Sequence, residues 1–236
     1  MDHRAYGTQH RSLDGLALLA PPRVFQTERS SSAPEGGQSG RTNRTAKKIR
    51  ALVEERQQQY PDRRVEFWCQ DEARHGTKSI LSKTWMKTGE RSGVPHSNGY
   101  TWLYVYGFVH PWSGRCDLLR FDSVDVASFN AALKLFKARV DPDNEAHIVL
   151  YVDNAGWHRS RNVVCPEGIE LMFSLPYTPE LMPAEHLWRP LKEGLANRAW
   201  GSLDELRDAV DARCAWLMSQ AALVSQATCF HWLPKA

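Results

Sequence analysis

The chain has 236 residues, of which 42% are hydrophobic and 24% charged, a composition typical of a globular protein with one sizeable core. It has no apolar run near ~18 residues, so we expect no membrane span, and the LALLA run at 16–20 is too short for a secretory signal. The five cysteines include no CxxC pair, which argues against a structural zinc site or disulfide scaffold and predicts reduced thiols in the cytoplasm.

The formal charge of +3 is unevenly distributed along the chain. Residues 1–64 carry 12 Lys and Arg against 7 Asp and Glu, whereas the remainder carries 18 against 20. The basic front part would suit an anionic partner. A solvated, partly disordered tail explains the same charge equally well, and the composition does not separate the two.

The N-terminal quarter divides into two segments. Residues 1–44 show no usable periodicity, and 30–40 are rich in small and turn-forming residues, so we expect a disordered or atypical segment with a linker. Residues 45–64 form a predicted linker helix, with Thr45 as its cap and a basic face that includes Lys47 and Lys48. One helix does not make a helix-turn-helix reader, which needs at least two packed together.

From Val65 onward the pattern predicts alternating strands and helices. The predicted strands are 65–70, 80–86, 99–110, 116–121, 148–152 and 169–175, with a turn at 111–114. The first predicted helix begins at a cap, Ser123 or Asp125, and ends at about Val140. Two more are predicted over 184–198 and 202–219, the last of them begun by a capping box of Ser202 and Glu205. This order indicates an α/β fold over 65–236, with a mixed sheet flanked by helices and an extended N-terminal segment.

Three carboxylates lie at the ends of predicted strands or at the start of a predicted helix. Asp71 follows the first strand, Asp153 follows the apolar run 148–152, and Glu185 lies just after Pro183, in the first turn of a predicted helix. Ligand chemistry in such sheets lies at the carboxyl ends of strands. Oxygen-only ligands suit Mg²⁺, and two such ions support phosphoryl transfer. Surface carboxylates at element ends are the alternative for each acid alone, and Glu72 competes with Asp71 because adjacent strand residues face opposite sides.

Further candidates lie close to these acids in the sequence. Arg189 and Lys192 share the helix face of Glu185, where they are either salt-bridge partners or phosphate contacts. His158, five residues after Asp153, could position DNA or a neighbouring carboxylate, or be an ordinary hydrogen-bonded loop residue. Trp68, Trp102 and Trp188 lie on predicted buried faces and are expected in the core rather than as stacking platforms.

Three motifs together resemble a known family. QDEARHG at 70–76, LYVDNAGWHRS at 150–160 and LPYTPELMPAEHLWRPLKE at 175–193 are similar, in order and spacing, to the DDE transposases of bacterial insertion sequences in the mariner-type superfamily. The resemblance covers roughly 45–233. It implies an RNase H-like fold, cleavage of transposon ends and strand transfer into target DNA with Mg²⁺ or Mn²⁺, two ions, and a dimer pairing two DNA ends. Asp71, Asp153 and Glu185 would be the catalytic triad and metal ligands.

The chain departs from the family pattern at two places. Residues 1–44 do not resemble the helix-turn-helix domain usual in front, so we expect a chain truncated or frameshifted there. Met182 replaces the usual Asn before Pro183 and cannot cap, which costs ~1 kcal/mol and predicts looser placement of Glu185. Two alternative functions therefore stay open: a truncated, inactive remnant that binds DNA weakly through the basic helix, or an RNase H-like nuclease.

Overall fold

The computed structural model describes residues 35–83, 87–89, 93, 95, 97–176 and 178–233, with side chains from residue 40 onward except at 179. Residues Gly36–Ala236 form one compact unit. None of the helices in the described ranges is long and apolar enough to cross a membrane.

Five strands and five α-helices make up the described fold. The strands are β1 Arg64–Lys78, β2 Asn98–His110, β3 Arg115–Phe121, β4 Ala146–Val152 and β5 Ile169–Phe173. The α-helices are α1 Glu35–Gln59, α2 Val126–Val140, α3 Trp188–Glu193, α4 Leu203–Met218 and α5 Ala221–Thr228. Two short 3₁₀ helices, Pro179–Leu181 and Pro183–Leu187, precede α3.

The strands form one mixed sheet in the order β3-β2-β1-β4-β5. β1, β2 and β3 form an antiparallel meander, whereas β4 is parallel to β1 and β5 is parallel to β4. The mixed sheet expected from the sequence is confirmed. β4 is buried at every position, as expected of a strand with helices or loops on both faces.

Each face of the sheet carries its own core. On one face, Phe67, Cys69 and Tyr151 pack with residues of α3, α4 and α5 and with Ile49 of α1. On the other face, Trp68, Ile148 and Leu150 pack with the stripe of α2 formed by Phe129, Leu133 and Phe136. Successive residues of β1 alternate between these cores, because side chains of a strand point alternately to its two faces.

The first helix is longer than the sequence predicts. α1 begins at Glu35 rather than at 45, so the expectation of a linker is wrong for 35–40, while 1–34 lie outside the described residues. Extending an existing helix by one residue adds a backbone hydrogen bond, and this gain can outweigh the poor helix propensity of Gly and Ser.

The predicted second strand is wrong for 80–83, and 84–86 lie outside the described residues. The backbone there is bonded to a loop instead of a neighbouring strand: the Asn197 N–H donates to Ile80 O at 2.8 Å, and the Ser82 N–H donates to Asn197 Oδ1 at 2.9 Å. Alternating polarity alone does not separate such a segment from an edge strand.

The helix predicted over 184–198 is shorter and begins as a 3₁₀ helix. Its α-helical part ends at Glu193, and Pro190 falls inside it. Proline has no N–H to donate to the preceding turn, which separates the 3₁₀ helix from regular α-helix. The predicted cap of α2 is Asp125, whose Oδ1 accepts from the Ser128 N–H at 2.8 Å, and Ser202 caps α4 as predicted.

Candidate active site

Asp71 lies in the middle of β1 and not at its end. The strand continues to Lys78, so the prediction that the strand closes at Asp71 is wrong. The neighbouring strand β4, however, ends at Val152, and Cys69 is paired with Tyr151. Two residues further in the same register, Asp71 comes level with Asp153. Because β1 extends beyond the end of β4, both carboxylates lie at the carboxyl end of β4.

The carboxylate of Asp71 is held by a tryptophan. The indole N–H of Trp188 donates to Asp71 Oδ2 at 2.6 Å. Gly107, paired with Asp71 on β2, makes room for the indole, since a Cβ at Gly107 would lie 2.6 Å from Trp188 Cη2. Burial, together with the charges of Glu72 and Glu185, raises the pKa of Asp71 to about 7, although the Trp188 hydrogen bond acts to lower it.

Glu185 lies on the 3₁₀ helix Pro183–Leu187. Met182 makes no capping side-chain hydrogen bond, as its side chain predicts. The segment is anchored by packing, because Leu181, Met182, Ala184 and Leu187 are all buried. Burial of a Met or Leu side chain stabilises by ~1.5–3 kcal/mol, more than the missing cap costs. The pKa of Glu185 is raised, first by partial burial of its carboxyl group and then by the charges of Asp153 and Glu180. The residue as a whole is exposed.

Asp153 is bound by a buried histidine. Nδ1 of His158 lies 2.7 Å from Asp153 Oδ1, and the Ala155 N–H donates to the same oxygen at 2.9 Å. Burial alone would raise the pKa of Asp153, but these bonds outweigh it and hold the pKa below its usual value. Burial alone would lower the pKa of His158, but hydrogen bonds to Asp153 and Glu72 raise it to about 9.

Glu72 completes this cluster from the opposite face of β1. His158 Nε2 lies 3.0 Å from Glu72 Oε1, so the imidazolium bridges two carboxylates. The side chain of His158 is fully buried and that of Glu72 is 7% exposed, whereas that of Asp153 is 46% exposed. With His158 donating through both nitrogens, the Trp157 indole N–H donates to Glu72, at 3.3 Å. Glu72 therefore neutralises the charge of His158. Of the two adjacent acids on β1, Asp71 is the one that points to the same face as Cys69.

These acids match the donor chemistry of a hard divalent cation. Asp71 and Glu185 repel each other, as do Glu185 and Asp153, and these repulsions raise the pKa of Asp71 and Glu185. Such a concentration of negative charge is what a bound cation relieves. Among the described residues, no three His, Cys, Asp or Glu side chains are already arranged as a metal site. The chemistry of the three carboxylates suits the ion, although their described side chains do not form a ready-made site for it.

The family of the protein follows from comparison with known sequences. The DDE superfamily endonuclease family matches residues 66–207, which include all three acids. The chain belongs to the DDE superfamily endonucleases. This match confirms the resemblance that the three motifs indicate. An uncharacterised protein of Sinorhizobium fredii (strain NBRC 101917 / NGR234), y4pE/y4sA, is 34% identical over 106 residues, covering 44% of this chain and 77% of that protein.

Solved structures of Mos1 transposase share the fold of this endonuclease domain. The Mos1 mariner paired-end complex with Mn is 17% identical with a TM-score of 0.53, over 87% of this chain and 64% of that one. The Mos1 paired-end complex with the left transposon end is 16% identical with a TM-score of 0.50, over 86% and 64%. The chain thus spans just under two thirds of these Mos1 chains, and the expected RNase H-like fold class is confirmed.

The predicted basic contacts lie on α1 and on α3, the helix that follows Glu185. Arg189 Nε donates to Glu193 at 3.0 Å, so its salt-bridge partner is not Glu185. Lys192 is half-buried, and its charge helps lower the pKa of His75 after burial of that imidazole. Lys47 and Lys48 are exposed on α1. Arg189, Lys192, Lys47 and Lys48 remain predicted phosphate contacts.

Two contributors to the site were missed by sequence reasoning. Trp188 was expected to be only a core residue, yet its N–H contacts Asp71. Glu72 was considered only as a rival of Asp71, yet it contacts His158. The local pattern held only a weak signal for Glu72: a buried acid requires a partner, but Arg74 and His75 lie nearer in the motifs than His158. It held none for Trp188, whose contact spans 117 residues.

Proposed function

We propose that this chain is the catalytic part of a transposase that cleaves DNA at transposon ends and joins the freed ends to target DNA. The observation that carries the proposal is the register of β1 and β4, which brings Asp71 level with Asp153, in a DDE endonuclease domain whose family match also includes Glu185. Mos1, which shares the fold, was solved with transposon-end DNA and with Mn.

Asp71, Asp153 and Glu185 would hold the divalent ions, Mg²⁺ or Mn²⁺, two in number. When bound, such ions activate an attacking hydroxyl and stabilise the departing oxygen. The rest of the site orients these ligands. Trp188 holds one oxygen of Asp71, and His158 holds one oxygen of Asp153, so each carboxylate has a defined direction.

The residues around the acids would take supporting roles. The buried His158–Glu72 pair carries no net charge, so it orients Asp153 without adding to the negative field of the acids. DNA phosphates would contact Arg189 and Lys192 beside Glu185, and Lys47 and Lys48 on α1, through charge-assisted bonds that position the strand without reading its sequence. Two chains would pair two DNA ends in a dimer.

The proposal is tested by nicking of a DNA duplex that carries the cognate transposon end, with Mn²⁺ or Mg²⁺. Asp153→Asn keeps the size of the side chain and removes its charge, and we expect loss of nicking by ~10³-fold or more. Asp143→Asn, at an exposed turn residue, is the matched control and should nick like the parent. Equal nicking by Asp153→Asn and the parent would refute the assignment.

Two further assays separate the alternatives. Excision of a transposon flanked by its cognate ends in a reporter cell distinguishes a working transposase from a remnant, which would bind DNA without excising it. Cleavage of an RNA–DNA hybrid distinguishes an RNase H-like nuclease, since a transposase should leave the hybrid intact.

A further inference from the structure

A two-stranded ribbon projects from the sheet next to the candidate active site. The pairing of β1 with β4 ends at Cys69, and that of β2 with β3 begins at Tyr104. Beyond these points residues 75–78 and 98–103, called the ribbon here, pair only with each other. Its first residue on β1 is His75, four residues beyond Asp71 on the same strand, so the ribbon leads away from the acids.

The two faces of the ribbon differ sharply. On the inner face, His75, Thr77 and Leu103 are buried, with exposed fractions of 5% or less. On the outer face, Trp102 is 45% exposed, and Tyr100, two residues away on the same strand, is 84% exposed. The expectation that Trp102 lies on a buried face is therefore wrong. Gly76 is its partner across the ribbon, and no Cβ there covers the indole.

Cations accompany these aromatic rings. The Arg74 guanidinium lies over the Trp102 ring, 5.2 Å from its centroid, and Lys78 is exposed near the tip of the ribbon. Residues 73–105 carry five Lys and Arg against a single acid, a larger positive balance than the +3 of the whole chain. Glu72, at the base of the same face, is turned inward to His158. The outer face thus offers cations and partly or largely exposed rings, without an exposed acid among its described residues.

We infer that the outer face of the ribbon, with Arg74, Lys78, Tyr100 and Trp102, binds the DNA strand that leads away from the scissile phosphate, with the rings stacking on unpaired bases. The inference rests on the proposed function for the identity of the DNA. Charge complementarity selects this occupant: a nucleic-acid strand combines regularly spaced anions with flat apolar rings, and surfaces that bind single strands combine cations with exposed aromatic rings.

Along β1 the rings lie a short way beyond Asp71, on the face of Glu72, whereas Asp71 itself points to the other face. Trp102 is level with Gly76, five residues beyond Asp71 on β1, or ~17 Å at about 3.3 Å per residue. That distance corresponds to about five nucleotide steps of a DNA strand at 3.4 Å each. The spacing of Tyr100 and Trp102, two residues or ~7 Å, leaves each ring able to take a separate base.

The experiment measures binding of a fluorescent DNA duplex with a single-stranded extension, by anisotropy and in EDTA, so that no cleavage occurs. Stacking on an aromatic ring makes Trp102→Ala bind roughly 5- to 150-fold more weakly than the parent, with a smaller loss on a blunt duplex. Leu135→Ala removes an equally exposed apolar side chain, on α2, and should bind like the parent.

Lys78→Ala should lower the slope of log affinity against log salt by about 0.7, whereas Lys134→Ala, on α2, should not.

The outcomes separate this inference from the proposed function. If Trp102→Ala binds the extended DNA as tightly as Leu135→Ala, the ribbon inference is overturned, whatever the nicking assay shows. If Trp102→Ala instead changes the mass of the protein measured by light scattering and leaves DNA affinity unchanged, the face binds a second copy of the chain and the inference is again overturned. If Asp153→Asn nicks like the parent while Trp102→Ala loses affinity, the transposase proposal fails and the ribbon remains a DNA-binding surface.

Discussion

Trp188 and Asp71 are joined by a 2.6 Å hydrogen bond between an indole N–H of α3 and a carboxylate in the middle of β1. The two residues belong to different motifs, and the bond connects the strand that carries one candidate metal ligand to the segment that carries another, Glu185. Since Trp188 also packs in the core around Leu187 and Leu191, the bond ties the position of Asp71 to the packing of one face of the sheet.

Trp188→Phe should reduce metal-dependent nicking while leaving the fold intact. Phenylalanine keeps most of the buried ring but cannot donate to Asp71. A hydrogen bond to a charged group is worth about 1.5–3 kcal/mol, and the half-buried position of Asp71 favours the lower end, which predicts roughly tenfold slower nicking. The nicking rate at saturating Mn²⁺ is the measurement. Trp216→Phe, on α4, is the control, and equal rates for the two variants would exclude a role for the bond.

Gly107→Ala should lower stability and nicking together. The added Cβ would lie 2.6 Å from Trp188 Cη2 and 3.1 Å from Leu187 Cδ1, so the indole must move away from Asp71. Overpacking of this kind costs about 1–3 kcal/mol, which urea denaturation would detect. Gly40→Ala, where the new methyl group meets nothing within 4 Å and lies in a helix, should keep or slightly raise stability. An unchanged urea midpoint for Gly107→Ala would contradict the close packing.

His158→Gln should destabilise the protein and weaken nicking. The substitution removes the positive charge between Glu72 and Asp153, leaving two carboxylates near each other, one of them almost fully buried. We expect a loss of about 2–3 kcal/mol in urea denaturation, below the range for a fully buried pair because Asp153 is half-exposed. His231→Gln, at an exposed histidine, should leave stability unchanged. Similar midpoints for the two variants would show that the bridge contributes nothing.

His75 should make stability depend on pH below neutrality. Its side chain is buried, both ring nitrogens lack a hydrogen-bond partner, and burial, followed by the charge of Lys192, lowers its pKa from 6.5 to about 4. The unfolded chain therefore binds a proton that the folded chain does not. The stabilising contribution is fully present above pH 6.5 and is lost as the pH falls from there toward about 4, on the order of 1–2 kcal/mol by about pH 5.

His75→Leu removes this titration and the two unpartnered nitrogens. We expect it to be at least as stable as the parent near neutral pH and to lose less stability than the parent at about pH 5, measured by urea denaturation at both pH values. A variant that loses as much stability as the parent on acidification would place the titrating group elsewhere.

Most of the fold and the position of the acids follow from the residue pattern alone. The apolar run before Asp153, the period of α2, and Pro183 ahead of Glu185 are local signals, because strand and helix periodicities and caps act within a few residues. They predicted the mixed sheet and the three motifs that carry the family. Local pattern did not reveal that β1 continues past Asp71 or that 80–83 do not form a strand, since both depend on which distant segment supplies the backbone partner.

Only the tertiary structure decided how the acids are held and which surface is left bare. The hydrogen bond from Trp188 to Asp71 and the bridge from His158 to Glu72 join residues 117 and 86 positions apart. The apolar run of β2 around Trp102 is typical of a core strand, yet Trp102 is exposed because neither β3 nor β4 reaches that part of the sheet. Burial and pairing are properties of how elements pack against one another, and the order of residues along one strand does not contain them.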